Sequence, residues 1–223
     1  MGARLEDDLM GMDTADWLTP EAKVLIDRAR AMAPVLAERA PQAERDGQVP
    51  RITVQEMREA GFFKVLQPRR YGGYEMDPRV FYSVQMALAS GCMATAWIYG
   101  VIGVHNWQLP LFPEAAQQDV WAEDPQTLIA STYMPVGKAE KVDGGYRFSG
   151  HWSWSSGVEH CEWIFLGGLL PRQDGSGALE HCTFLLPKRD FTVVHNFDVL
   201  GLRATASHDI VVDGAFVPEH RTH

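Results

Sequence analysis

Cysteine is scarce in this chain: Cys92, Cys161 and Cys182 are its only three in 223 residues. An odd count without a secretory leader reads as buried free thiols in a reducing compartment and argues against a disulfide framework. Long apolar runs are missing too. The nearest candidate for a membrane span, Met86 to Val104, is broken by Ser90, Gly91, Gly100 and Gly103, well short of the ~20 apolar residues a bilayer requires. The first residues, MGARLEDDLMGMDTADW, are acidic and lack a basic region followed by an apolar one, so no secretory signal is read there and the expected location is the cytoplasm. Basic residues are outnumbered, 20 against 29 acidic, for a net charge of -9, and they form no cluster. That balance argues against nucleic acid and against an anionic membrane surface as partners. No GxGxxG follows a strand, and neither a P-loop nor a GxSxG elbow is present. A small-molecule role is the default.

What is present changes character near Pro125. Upstream the spacing predicts helices. Thr19 and Pro20 supply a cap and first helical residue, and Leu25, Ala29, Met32 and Leu36 repeat at helical spacing as far as Pro41. Thr53 and Glu56 read as a capping box opening a second helix that Gly61 closes. Asp77 and Pro78 open an apolar helical region that continues past Gly91 to Trp107, and a short helix from Pro113 to about Ala122 follows. Downstream come short β-rich runs, TLIASTYM, KAEKV, YRFSGHWSW, WIFLGGLL, HCTFLLP, FTVV and HDIVVDGAFV, with Asp143 to Gly145 as a hairpin turn. The order predicts an α+β protein: an acidic tail at 1–18, a helical domain at 19–125, and a small antiparallel β-barrel or sandwich at 126–223.

Three stretches could carry chemistry. In HWSWSSGVEH, residues 151–160, strand alternation would place Trp152, Trp154 and Ser156 on one face, with His151, Ser153 and Ser155 on the other. Two indoles and a hydroxyl suit a planar heteroaromatic ligand; the same residues would equally fill a barrel core. In GVHNWQLPLF, His105 sits in an apolar segment, either as a hydrogen-bonded core residue or as a neutral imidazole facing a substrate oxygen. In ASTYM, residues 130–134, the polar side chains of Ser131, Thr132 and Tyr133 interrupt an apolar strand and must bond to backbone or face a cavity. The tripeptide EHC occurs twice, at 159–161 and 180–182, but adjacent strand residues point to opposite faces, so no metal site is expected.

The set FFKVLQPRRYGG, GVHNWQLPLF, ASTYMPVG, DGGYRFSGHWSWSSG, VLGLRATASHDI and VPEHR resembles the acyl-CoA dehydrogenase fold, in its two-component flavin-dependent monooxygenase branch. The resemblance implies an oxygenase component that uses reduced flavin, FMN or FAD, as co-substrate with O2. It implies ortho-hydroxylation of a phenol, a phenolic steroid catabolite first, through a C4a-hydroperoxide. A separate flavin reductase would be the partner. By the same resemblance Trp97, Ser131, Thr132, Tyr133, Trp154, Ser155 and Ser156 match flavin-contacting positions, with Ser156 facing N5, and His105 with Ser131 matches the pair that holds the phenol oxygen. Members of the family continue into a C-terminal helical bundle that builds a homotetramer; this sequence shows none, so an exposed apolar surface and self-association are expected. The family's GLRGTGS stands here as GLRATAS, so a required positive φ at Ala204 or Ala206 would be strained. An acyl-CoA dehydrogenase proper and a non-catalytic assembly module remain alternatives.

Overall fold

The computed structural model describes residues 16–172, 174 and 176–223; most of the acidic 1–18 segment lies outside them. Helix α1 (Pro20–Asp46) begins as its sequence predicts, with the Thr19 hydroxyl accepting the Ala22 N–H and proline at its first position. It does not stop at Pro41. Pro34 and Pro41 both lie inside it, and the helix runs on to Gly47, whose left-handed φ of 68° closes it. A proline inside a helix costs about 3 kcal/mol. Burial of the helix's whole apolar face, Ala22, Leu25, Ile26, Ala29, Leu36 and Ala43, holds it through both prolines.

Helix α2 (Arg51–Glu59) corrects a second expectation, because Pro50 caps it and no capping box forms. Thr53 and Glu56 turn instead toward α1: the Arg39 guanidinium donates to the Thr53 hydroxyl at 3.0 Å and to both Glu56 carboxylate oxygens. Helices α3 (Pro78–Ala89, capped by Asp77), α4 (Met93–Gly103), α5 (His105–Gln108) and α6 (Glu114–Trp121) complete the helical half.

The second half is one six-stranded sheet: β1 (Ile129–Val142), β2 (Gly145–Ser155), β3 (Trp163–Pro171), β4 (Leu179–Pro187), β5 (Thr192–Val194) and β6 (His208–Pro218), in the order β4-β3-β1-β2-β6-β5. All pairs are antiparallel except β1 with β3, which is parallel. The runs at 127–134 and 138–142 are therefore one long strand, with a register shift between Thr132 and Gly137. Strands β2 and β4 stand three strand spacings apart, roughly 14 Å in a flat sheet. Yet Phe148 on β2 and Phe184 on β4 stack at 4.1 Å between ring centroids. The sheet is thus rolled toward a barrel, and its interior shares one apolar core with the helices.

Candidate functional site

Strand β2 ends where the site begins. Between Trp152 and Ser155 its pairing with β6 slips, and Trp154 takes a left-handed φ of 66°. An extra residue of this kind breaks the period of two. Trp152 and Trp154 consequently do not share a face. Trp152 is fully buried and its indole N–H reaches the carbonyls of Met134 (3.0 Å) and Gly167 (2.9 Å), whereas Trp154 is 69% exposed. The single wall of two indoles is corrected accordingly: one indole is core, the other faces outward.

The turn after the bulge packs on α4. Gly157 has φ 68°, and a Cβ there would come within 2.8 Å of Ile102 and 3.3 Å of Ile98, so only glycine lets the turn sit so close. That approach puts Ser156 against α4, where the Trp97 indole N–H donates to its Oγ at 3.0 Å. Ser156 Oγ also meets Ser207 Oγ at 2.7 Å, and Ser207 Oγ meets Thr205 Oγ1 at 2.7 Å. Beside them Ser155 is completely buried, and its hydroxyl has no partner among the described residues. A buried hydroxyl left unpaired costs about 1–3 kcal/mol.

The short turn Arg203–Thr205 holds this row from the other side. Its first two amides donate to the Glu44 carboxylate at 3.0 and 3.2 Å, and Gly157 N–H donates to Thr205 O at 2.9 Å. Of the two alanines in GLRATAS, only Ala206 needs the left-handed region, with φ 46° and ψ 51°. That position is strained for any residue with a Cβ.

His105 heads a second group. It is 1% exposed, and its Nδ1 meets the carbonyl of Ile129 at 2.5 Å. A carbonyl only accepts, so Nδ1 carries the hydrogen and Nε2 keeps a lone pair, which takes no partner among the described residues. Burial, opposed by the bond to Ile129, lowers its pKa to about 4, so the ring is neutral near pH 7. Its edge meets the rings of Tyr133 at 6.2 Å and Phe165 at 5.4 Å. The Tyr133 hydroxyl donates to Gln108 Oε1. Desolvation pushes that phenol up to about 12, against the lowering effect of Ser131 and Gln108.

Ser131 and Tyr133, two apart on β1, thus belong with His105. Thr132, between them, is buried and donates to the carbonyl of Ser153 at 3.0 Å. Gln108, Thr205 and Ser207 escaped sequence reasoning. Gln108 stood one helical turn from His105, a spacing that could have revealed it; nothing local marks the other two. Among the described residues no cluster of His, Cys, Asp or Glu is placed to hold a metal, and no helix is long and apolar enough to cross a membrane. The three thiols are buried and free. One cleft is lined by Asp16, Trp17, Arg28, Arg69 and Tyr74 among others, and by no residue of the two groups.

An orphaned hydroxyl at Ser155, the Ser156 hydroxyl and two partly exposed indoles, Trp97 and Trp154, fit the edge and face of a flat tricyclic ring. A helical half feeding a rolled sheet, with that set at their junction, is the acyl-CoA dehydrogenase architecture. The chain has this fold and is similar to flavin-dependent oxygenase subunits that share it: residues 19–124 match the family described as acyl-CoA dehydrogenase, N-terminal domain. It is 43% identical over 196 residues to the flavin-dependent monooxygenase, oxygenase subunit HsaA, of Rhodococcus jostii (strain RHA1), covering 88% of this chain and 51% of that one. It is 35% identical to the FADH(2)-dependent resorcinol hydroxylase, oxygenase component, of Rhizobium sp. (strain MTP-10005), over 88% of this chain and 48% of the relative. The crystal structure of the HsaA monooxygenase from M. tuberculosis superposes with a TM-score of 0.86 at 40% identity, over 91% of this chain and 52% of that one. The chain spans about half the length of the curated relatives it matches.

Proposed function

We propose that the protein acts as the oxygenase component of a two-component aromatic hydroxylase, with reduced flavin, FMN or FAD, as co-substrate. Bound there, the reduced ring supplies the two electrons that let O2 place one oxygen atom ortho to a phenol hydroxyl, the other leaving as water. Trp97, Trp154, Ser155 and Ser156 hold the ring, with Ser131, Thr132 and Tyr133 on the neighbouring strand. His105 and Ser131 hold the phenol oxygen. A neutral imidazole whose Nδ1–H is spoken for by Ile129 accepts the phenol O–H at Nε2 and raises electron density on the ring. With a pKa near 4 it is a hydrogen-bond acceptor for that proton more than a strong base. This fixed, neutral His105 at the ring of Tyr133, whose phenol Ser131 also meets, is the observation that carries the reading.

The substrate class is a phenol, with the phenolic ring of a steroid catabolite as first choice from the likeness to the 43% identical relative. A separate reductase supplies reduced flavin, and the buried free thiols suit the reducing cytoplasm in which such a supply exists. The exposed Tyr82 and Met86 on α3 and Met93 and Trp97 on α4 support assembly into a homo-oligomer, a tetramer in the proposed whole protein.

The test is oxygen use. The protein is loaded anaerobically with reduced flavin and mixed with aerated buffer in the presence of a phenol. Ortho-diphenol in proportion to oxygen consumed is expected. Stoichiometric hydrogen peroxide whether or not the phenol is present would overturn the proposal, and bleaching of oxidised flavin by an acyl-CoA thioester would favour a dehydrogenase.

A further inference from the structure

Three hydroxyls, Thr205, Ser207 and Ser156, stand in a row with two contacts of 2.7 Å between them. Each contact consumes one hydrogen, and three hydroxyls bring three. One hydrogen must therefore leave the row. No other partner for any of these hydrogens exists among the described residues. Were it the hydrogen of Thr205 or Ser207, a donor would be stranded at a residue 2% or 6% exposed. Ser156 is the one member that is only half-buried, so there the hydrogen can find a partner outside the protein. The order is then Thr205 donating to Ser207, and Ser207 donating to Ser156. Trp97 strengthens the assignment, since its indole N–H can only donate and already fills one lone pair of Ser156. With Ser207 filling the other, Ser156 has no lone pair left to offer.

We propose that Thr205 and Ser207 are positioning residues that make Ser156 a one-way, outward hydrogen-bond donor, so that the flavin atom facing it must present a lone pair. The inference rests on the flavin reading above and specifies what that reading leaves open, the direction of the hydrogen bond. Glu44 and the Gly157 amide hold the turn that carries Thr205, which fixes the start of the row from α1 and from β2 alike.

Two measurements test it. Neutron diffraction from deuterium-exchanged crystals of the protein is expected to show deuterium on Thr205 aimed at Ser207, on Ser207 aimed at Ser156, and on Ser156 aimed away from both. Deuterium on Ser156 aimed at Ser207 would overturn the proposal, whether or not flavin binds. In solution, oxidised FMN is compared with its 5-deaza analogue, in which a C–H replaces the accepting N5. The protein is expected to bind FMN about tenfold more tightly, the worth of one good hydrogen bond. Ser156→Ala should bring the ratio to about one, and Ser207→Ala, which frees the Ser156 rotor, should fall between. Equal affinities in the unaltered protein, or an unchanged ratio in Ser207→Ala, would sink the donor row while leaving the flavin reading intact. Failure to bind either ring would sink the flavin reading, and the neutron result would still decide the row.

Discussion

Trp97 and Ser156, 59 residues apart in the chain, are joined by an indole N–H to hydroxyl bond of 3.0 Å that ties helix α4 to the end of strand β2. Trp97→Phe keeps a flat ring and removes only the donor. Flavin affinity, read by fluorescence titration, is expected to fall about tenfold, with the unfolding midpoint nearly unchanged. Equal affinity would detach the bond from ring binding.

The two tryptophans of the HWSWSS stretch should behave oppositely. Trp152→Phe deprives two carbonyls of a donor in the core and is expected to cost about 2–3 kcal/mol in urea unfolding. Trp154→Ala, at an exposed position, should stay within about 0.5 kcal/mol yet weaken flavin binding.

Ala206 stores strain. Its left-handed backbone costs an alanine about 1–2 kcal/mol, of which a glycine's extra unfolded-state freedom gives back about 0.4–1. Ala206→Gly should therefore stabilise the protein by up to about 1.6 kcal/mol by thermal melting, and Ala204→Gly should destabilise it. Reversed signs would mean that the turn is not strained.

Acid should weaken the fold through two histidines. His105 and His160 have folded pKa values lowered to about 4 by burial, below the ordinary 6.5. The unfolded chain then binds protons that the folded chain refuses, so stability is complete above pH 6.5 and declines as pH falls toward 4. Each group contributes up to about 3 kcal/mol over that window. Urea midpoints at pH 7.5 and 5 should show the decline, smaller in His105→Gln.

Replacing His105 by Ala should separate oxygen use from hydroxylation. Reduced flavin still binds and is reoxidised, but hydrogen peroxide replaces the ortho-diphenol. Normal product yield would remove His105 from the proposed phenol site.

Much of this architecture was legible in the chain. Thr19 with Pro20 and Asp77 with Pro78 open helices where capping chemistry places them, and DGG turns β1 into β2, because a cap or a tight turn is decided within four residues. His105 and the Ser131 to Tyr133 run stood out as polar groups in apolar segments. Other features were hidden because distant partners decide them. Thr53 and Glu56 have the spacing of a capping box, yet Arg39 from another helix claims both. Alternation assigned Trp154 to the face of Trp152 until a bulge, visible only in the pairing with β6, turned it outward.

By itself the sequence determined the order of elements, the location of their ends and the identity of the polar groups set among apolar ones, since these follow from local propensity and side-chain spacing. Tertiary structure alone decided which of those groups meet. The row from Thr205 through Ser207 and Ser156 to Trp97 draws on α4, the end of β2 and the turn before β6. Hydrogen bonds act over about 3 Å, and only folding brings those segments within that distance.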